Sequence, residues 1–291
     1  MSSTSTDFSG LWVPLVTPFR GGAVDHAALH RLAQHLRSQG VAGFVVCGST
    51  GEAAALDTAE QLGALDTVLD ATPGLPVVMG ASGYHLAEMR AWVRTLASRP
   101  LAGLLMPAPG YVRPSQAGLL DWFGALADAS PVPLIVYDIP YRTGVAIQRD
   151  TLLALASHPN IRAVKDCGGD AAKTLALIAD GRLQVLAGED LQIFSTVAQG
   201  GAGAIAASAH LQTAQFAAVL AALAQGELAQ ARALWRPLVP LIEALFAEPN
   251  PAPLKAVLAG QGWLCDELRA PMTPATPMLR ERLQALAVSR P

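Results

Sequence analysis

The strongest constraint on this chain is an alternation. Short apolar runs occupy residues 11–18, 43–48, 76–82, 103–109, 133–140, 161–167, 183–188 and 203–209. Between them lie longer segments whose apolar residues recur at helical spacing. Asp25 is placed to cap the first, which extends to about residue 39, and others cover residues 58–71, 86–98, 115–129, 150–156 and 171–179, with helices again after the last two runs. Strands buried on both faces read as continuous apolar runs, and strand–helix alternation implies a parallel sheet covered by helices. Eight such units in about 220 residues fit an α/β fold of the closed (β/α)8 kind, a TIM barrel. An open doubly wound sheet is the rival, but no Gly-x-Gly-x-x-Gly follows the first run. Residues 225–291 read as helices broken by Pro249, Pro251, Pro253, Pro271, Pro274 and Pro277. The expected organisation is therefore a barrel over residues 1–224 and a C-terminal helical appendage over 225–291.

Composition narrows the function. With 52% hydrophobic and 15% charged residues the chain has enough apolar material for a large core and is no disordered polymer. A net charge of −3 leaves no basic footprint for nucleic acid, and no apolar stretch is long enough to span a membrane. The expected partners are small molecules, their charges held by local groups. Cys47, Cys167 and Cys265 are odd in number and lack metal-ligand spacing. The stretch from Met1 to Asp7 has neither a positive region nor an apolar core of the kind a secretory leader needs. Reduced thiols and a cytoplasmic location are expected. No metal is expected: His26 and His30 are four apart but lack the glutamate of a His-Glu-x-x-His helix, and they fall on the first helix, away from the strand ends.

One residue stands out against this background. The chain has only three lysines, Lys165, Lys173 and Lys255, and arginine supplies the rest of its 20 basic residues. Lys165 closes the run Ile161-Arg162-Ala163-Val164-Lys165, just before Asp166-Cys167-Gly168-Gly169-Asp170. An ammonium at the buried end of a strand loses hydration, its pKa falls, and the free amine becomes a nucleophile for carbonyls. By itself the stretch fits equally a lysine that snorkels to the rim of a sheet.

A barrel carries its chemistry at the carboxyl ends of its strands. The second run ends in Gly48-Ser49-Thr50-Gly51-Glu52, whose hydroxyls and backbone N–H groups suit a small carboxylate, although a capped strand-to-helix turn has the same composition. The fifth ends in Tyr137-Asp138-Ile139-Pro140-Tyr141-Arg142-Thr143-Gly144. There Tyr137 is either a proton-transferring phenol or a core tyrosine, and Arg142 either a carboxylate clamp or a surface residue. The seventh ends in Gly188-Glu189-Asp190. Together, an amine, a phenol, a hydroxyl and an anion clamp meet the needs of a Schiff-base aldolase.

These three strand-end motifs resemble the signatures of the dihydrodipicolinate synthase / N-acetylneuraminate lyase family, pyruvate-dependent class I aldolases on a (β/α)8 barrel. The likeness extends to Gly110-Tyr111-Val112-Arg113-Pro114-Ser115-Gln116, Glu248-Pro249-Asn250-Pro251 and Pro271-Met272-Thr273-Pro274. Pro140-Tyr141-Arg142-Thr143-Gly144, with the Glu248 motif, is similar to the dihydrodipicolinate synthase branch. That branch condenses pyruvate with aspartate 4-semialdehyde in lysine and diaminopimelate biosynthesis. The resemblance implies that Lys165 forms the imine and Tyr137 is its acid/base. It makes Ser49 a relay between Tyr137 and Tyr111, the latter reaching in from a neighbouring subunit of a homotetramer. Ser49, Thr50 and Gly51 belong to the turn that holds the pyruvate carboxylate, Arg142 grips the second substrate, and Gly188 and Ile205 line the pocket. No cofactor is implied, because the imine is the electron sink.

The chain also departs from the family pattern. Ser49 replaces a common threonine, Cys167-Gly168 replaces a small Ala-Ser or Ala-Thr pair, and Asp138 replaces an asparagine, adding negative charge near an incoming anion. Met106-Pro107-Ala108-Pro109-Gly110-Tyr111 keeps one of two tyrosines. Ala53, Thr58, Tyr84 and Gly110 lack the groups of the family's lysine-inhibition site, although Glu88 matches, so inhibition by free lysine is not expected. Other readings stay open. One is a lyase for N-acetylneuraminate or a 2-keto-3-deoxy sugar acid, for which a second carboxylate clamp at Arg142 has no use. The other is a non-catalytic barrel that binds a keto acid, which needs neither nucleophile nor relay.

Overall fold

The structure is a computed structural model and describes residues 6–288. Residues 1–5, within the stretch read for a leader, and 289–291, the end of the expected helical appendage, lie outside the described residues.

Eight strands close into a barrel: β1 (Gly10–Pro14), β2 (Gly43–Val46), β3 (Val77–Gly80), β4 (Gly103–Pro107), β5 (Leu134–Asp138), β6 (Ile161–Asp166), β7 (Gln184–Ala187) and β8 (Gly203–Ile205). Each lies beside its neighbours in the chain, and β8 beside β1, as the strand–helix alternation predicts. The helices are α1 (His26–Arg37), α2 (Thr58–Ala71), α3 (Leu86–Leu96), α4 (Gln116–Ala129), α5 (Arg149–Leu155), α6 (Ala171–Asp180), α7 (Ile193–Ala198) and α8 (Thr213–Ala224). The C-terminal segment adds α9 (Leu228–Trp235), α10 (Val239–Leu245), α11 (Ala252–Gly260) and α12 (Pro277–Val288). The strands are shorter than the apolar runs, because the tail of each run leaves the ladder to build a buried loop. Ala81, Ala108, Ile139 and Cys167 are such residues, all buried beyond the last paired position.

The described residues form two compact units. One comprises the chain up to Gly10 together with Pro76–Ile205. Its strands β3 to β8 pair in parallel, and the register sets Tyr137 opposite Lys165 and Asp138 opposite Asp166. Ile135, Val136, Ala163, Val164 and Leu186 are all buried, so both faces of these strands are covered.

The other unit comprises Leu11–Leu75 and the chain from Ala206 onward. Here β1 pairs with β2 in parallel. Asp25 caps α1 through the Ala28 N–H, as expected, and Asp57 and Glu60 form a reciprocal capping box on α2. A two-stranded ribbon, Phe19–Arg20 against Ala23–Val24, is too short for periodicity to reveal. Its signal is the pair Gly21-Gly22, both at positive φ as a tight hairpin turn requires, with their N–H groups bonded to Glu267. His26 and His30 face α2, at Thr67 (2.7 Å) and Asp70 (3.5 Å). No helix among the described residues is long and apolar enough to cross a membrane.

Candidate active site

The site is organised by the last residues of β5 and β6. Lys165 is 5% exposed, and among the described residues no carboxylate lies within ion-pair distance of its Nζ. Its neighbour is the ring of Tyr137, with Nζ 4.4 Å from the centroid. Burial pushes the lysine below its ordinary value and Arg142 adds to this, against the opposing influence of Cys167, Asp190 and Glu189. An amine lowered by desolvation and held beside a phenol can attack a carbonyl and exchange protons with what it forms. Gly188, just after β7, makes room for it: a Cβ there would lie 2.9 Å from Lys165 Cγ and 3.0 Å from Cε, and closer still to Cys167 Sγ.

Arg142, Ile205 and Tyr111 belong to the same unit as that pair. Arg142 is exposed on a single helical turn, Pro140–Thr143, that begins at a proline and ends at Gly144 with φ 79°. Beside it, the Tyr141 hydroxyl donates to Glu189 Oε1 (2.8 Å), and burial together with that carboxylate pushes the phenol's pKa upward. Ile205 ends β8, fully buried. Tyr111 is 95% exposed in the loop after β4, with its backbone in the left-handed region at φ 70°. Nothing within this unit covers its side chain.

Ser49, Thr50 and Gly51 lie in the other unit, on the turn after β2. The turn is tightly held. The Gly51 and Glu52 N–H groups donate to the Gly48 and Ser49 carbonyls, Thr17 Oγ1 donates to the Gly51 carbonyl (2.7 Å), and Asn250 Nδ2 donates to Thr50 Oγ1 (2.9 Å). With its N–H used inside the turn, Gly51 contributes space: a Cβ there would meet the Leu15 carbonyl oxygen at 2.9 Å. Glu52 follows at φ 53° and is buried against Lys255, which also donates to the Glu267 carbonyl (2.9 Å) and lies over the Phe19 ring. Lys255 is fully buried, and no periodicity marks its partner, which is 203 residues away.

Sequence reasoning also missed a charged cluster behind the Lys165–Tyr137 pair. Lys173, in the first turn of α6, is 5% exposed and bonds to Asp138, with Asp166 Oδ1 at 3.6 Å. Asp138 is fully buried, and its other oxygen accepts the Ile147 N–H (3.1 Å). Asp166 accepts from Thr174 Oγ1 (2.5 Å) and the Gly168 N–H (2.8 Å). Burial alone would lower Lys173, but its bond to Asp138 and the charge of Asp166 hold it above the ordinary lysine value. The negative charge expected from Asp138 is therefore compensated inside the protein. The departure at Gly168 has a reason too: a Cβ there would collide with Lys173 Nζ and lie 2.7 Å from Asp138 Oδ2. The scarcity of lysine that singles out Lys165 applied equally to Lys173 and was the available signal.

A barrel with a desolvated lysine at a strand end, in register with a tyrosine and with no carboxylate bonded to it among the described residues, is the arrangement of an imine-forming lyase. The chain belongs to the dihydrodipicolinate synthetase family, whose model matches residues 7–289. It is 35% identical to 4-hydroxy-tetrahydrodipicolinate synthase 2 of Clostridium acetobutylicum, over 94% of this chain and 97% of that one. It is 37% identical to the 4-hydroxy-tetrahydrodipicolinate synthase of Haloarcula marismortui, over 93% and 90%. Among solved structures, the dihydrodipicolinate synthase of Bacillus anthracis superposes with a TM-score of 0.94 at 29% identity, covering 98% of this chain and 99% of that one.

Proposed function

We propose that this protein joins pyruvate to aspartate 4-semialdehyde through an imine on Lys165, giving 4-hydroxy-tetrahydrodipicolinate for lysine and diaminopimelate biosynthesis. The observation that carries the reading is Lys165 itself, buried, without a carboxylate partner and beside Tyr137. Membership of the family and the names of the relatives support the choice of substrates.

The chemistry follows from the residues. The Lys165 amine adds to the keto carbon of pyruvate, and loss of water leaves a protonated imine. That cation draws electrons from the adjacent methyl, which gives up a proton to form an enamine. The enamine carbon attacks the aldehyde, and its oxygen takes a proton. The amino group of the second substrate then adds to the imine carbon, closing the ring and releasing the lysine. Tyr137 is the local acid and base, with Ser49 and Tyr111 as relay. The Ser49-Thr50-Gly51 turn takes the pyruvate carboxylate, Arg142 that of the aldehyde, and Gly188 and Ile205 shape the pocket. The imine serves as the electron sink, so no metal or organic cofactor enters the scheme. The family pattern supports a homotetramer of paired dimers in which Tyr111, exposed in the single chain, serves a neighbouring copy. The site of action is the cytoplasm.

The test is a coupled assay of purified protein with pyruvate and either aspartate 4-semialdehyde, N-acetylmannosamine or a sugar-derived aldehyde. Turnover confined to the semialdehyde is expected, and turnover only with a sugar aldehyde would move the protein to the lyase branch. Free lysine at millimolar concentration should leave the rate unchanged. Tyr84, which is 71% exposed, and Gly110 offer no polar cage for it, and an inhibition curve would overturn that part of the reading.

A further inference from the structure

We infer that Lys173 is a positioning residue for the reacting pair: its ammonium straps together Asp138 and Asp166, the residues that directly follow Tyr137 and Lys165 on paired strands. The inference rests on the reading of Lys165 and Tyr137 given above and assigns the cluster behind them a task in that reaction.

Three observations meet at this point. First, the register places Tyr137 opposite Lys165 and Asp138 opposite Asp166, so two carboxylates sit side by side one residue beyond the reacting groups. Side chains alternate along a strand, so the carboxylates lie on the opposite face from the amine and phenol and do not compete for substrate. Second, two adjacent buried carboxylates repel one another unless a cation bridges them. Lys173 supplies it from α6, bonded to Asp138 and 3.6 Å from Asp166, and among the described residues it is the cation within ion-pair reach of either carboxylate. Third, the backbone is cut to admit it. Gly168 leaves empty the volume that a side chain would take from Lys173 Nζ, and its N–H bonds to Asp166 Oδ1. The remaining bonds come from Ile147, which donates to Asp138, and Thr174, which donates to Asp166, so the carboxylates are held from several elements at once. The cross-strand spacing of Lys165 and Tyr137 is thereby fixed from behind.

Loss of the strap has a specific signature. Burial and the charge of Asp166 raise Asp138, and Lys173, helped by the Ile147 N–H, opposes this. Without Lys173 the Asp138 carboxyl keeps its proton at low pH, and a protonated Asp138 does not repel Asp166. As pH rises Asp138 ionises against Asp166, and the strand ends are driven apart. A lysine that merely filled space would cost stability at every pH and create no such limb.

The experiment measures the rate of borohydride-trapped pyruvate adduct on Lys165 from pH 5 to 9 in wild type, Lys173→Met, Gly168→Ala, and the double variant Lys173→Met/Asp138→Asn. Wild type should rise with pH throughout as Lys165 loses its proton. Lys173→Met should show a descending limb, with trapping at high pH reduced on the order of tenfold to a hundredfold, the scale of a misplaced reacting group. Gly168→Ala, which evicts the ammonium without altering a charge, should show the same limb. In the double variant the amide has no proton to lose, and the limb should vanish. Should Lys173→Met fail to fold, Gly168→Ala decides. Wild-type-shaped profiles in the folded single variants, or a limb that persists in the double variant, would overturn the inference while leaving the imine reading intact. Absence of any wild-type adduct would overturn both.

Discussion

Lys165 and Lys255 are both buried lysines, one in each compact unit, and they differ in the partner each one meets. Lys255 is fully enclosed, yet it bonds to Glu52 and to a backbone carbonyl, so its charge is spoken for. Lys165 is enclosed almost as completely and meets an aromatic ring where Lys255 meets a carboxylate. Burial lowers both lysines, and Glu52 opposes it at Lys255; the bonded counter-ion is what separates a structural lysine from an amine free to attack. Lys173 reinforces the lesson, because it lies close behind the reacting pair and is also committed to carboxylates.

The largest effect that can break this comparison is Lys165→Met. Imine formation with pyruvate should fall to background, while the melting temperature holds or rises because a desolvated amine is gone. The sign follows from linkage. Lys165 lies below its ordinary 10.5, so below that pH the unfolded chain binds a proton the native state lacks, and stability is lost as pH falls. Lys165→Met should flatten that dependence in thermal melts taken from pH 7 to 10. Next comes Tyr137→Phe, for which steady-state kinetics should show turnover reduced by about 10²- to 10⁴-fold, the usual worth of a positioned acid/base. A near-normal rate would make the ring a mere wall.

Lys255→Met sharpens the comparison from the other side. It strands Glu52 in the interior, and denaturant titration should show a loss of about 3–5 kcal/mol, the usual cost of breaking a buried pair. Adding Glu52→Gln should restore part of it, and pyruvate should still label Lys165 in whatever fraction folds. The smallest effect concerns Glu60, which Arg269 holds down to about 2 from the usual carboxylate value. Its contribution is complete above pH 4.5 and disappears as pH falls through about 2. Glu60→Gln should therefore lower the melting temperature by a few degrees at pH 7, with the gap closing in acid.

The barrel was legible because eight apolar runs alternate with helical periods, and Thr58–Ala71 falls where its pattern predicts. Strand ends were read too long, since residues such as Ala81 and Cys167 stay apolar after leaving the ladder. Lys165, Tyr137 and Gly188 were legible as strand-end residues, and the fold brings them close together. The partners of the other two lysines were not. Glu52 and Lys255, or Asp138 and Lys173, are joined by tertiary contacts across 203 and 35 residues, and no local period records such a pairing. For that reason the departures at Asp138 and Gly168 looked like separate oddities until the side chain lying between them was visible.

The most direct measurement sets the three lysines against one another. Incubating the protein with pyruvate and borohydride, then mapping peptides by mass, should place one reduced adduct on Lys165 and none on Lys173 or Lys255. An adduct shared among the three, or an unmodified Lys165, would contradict the account.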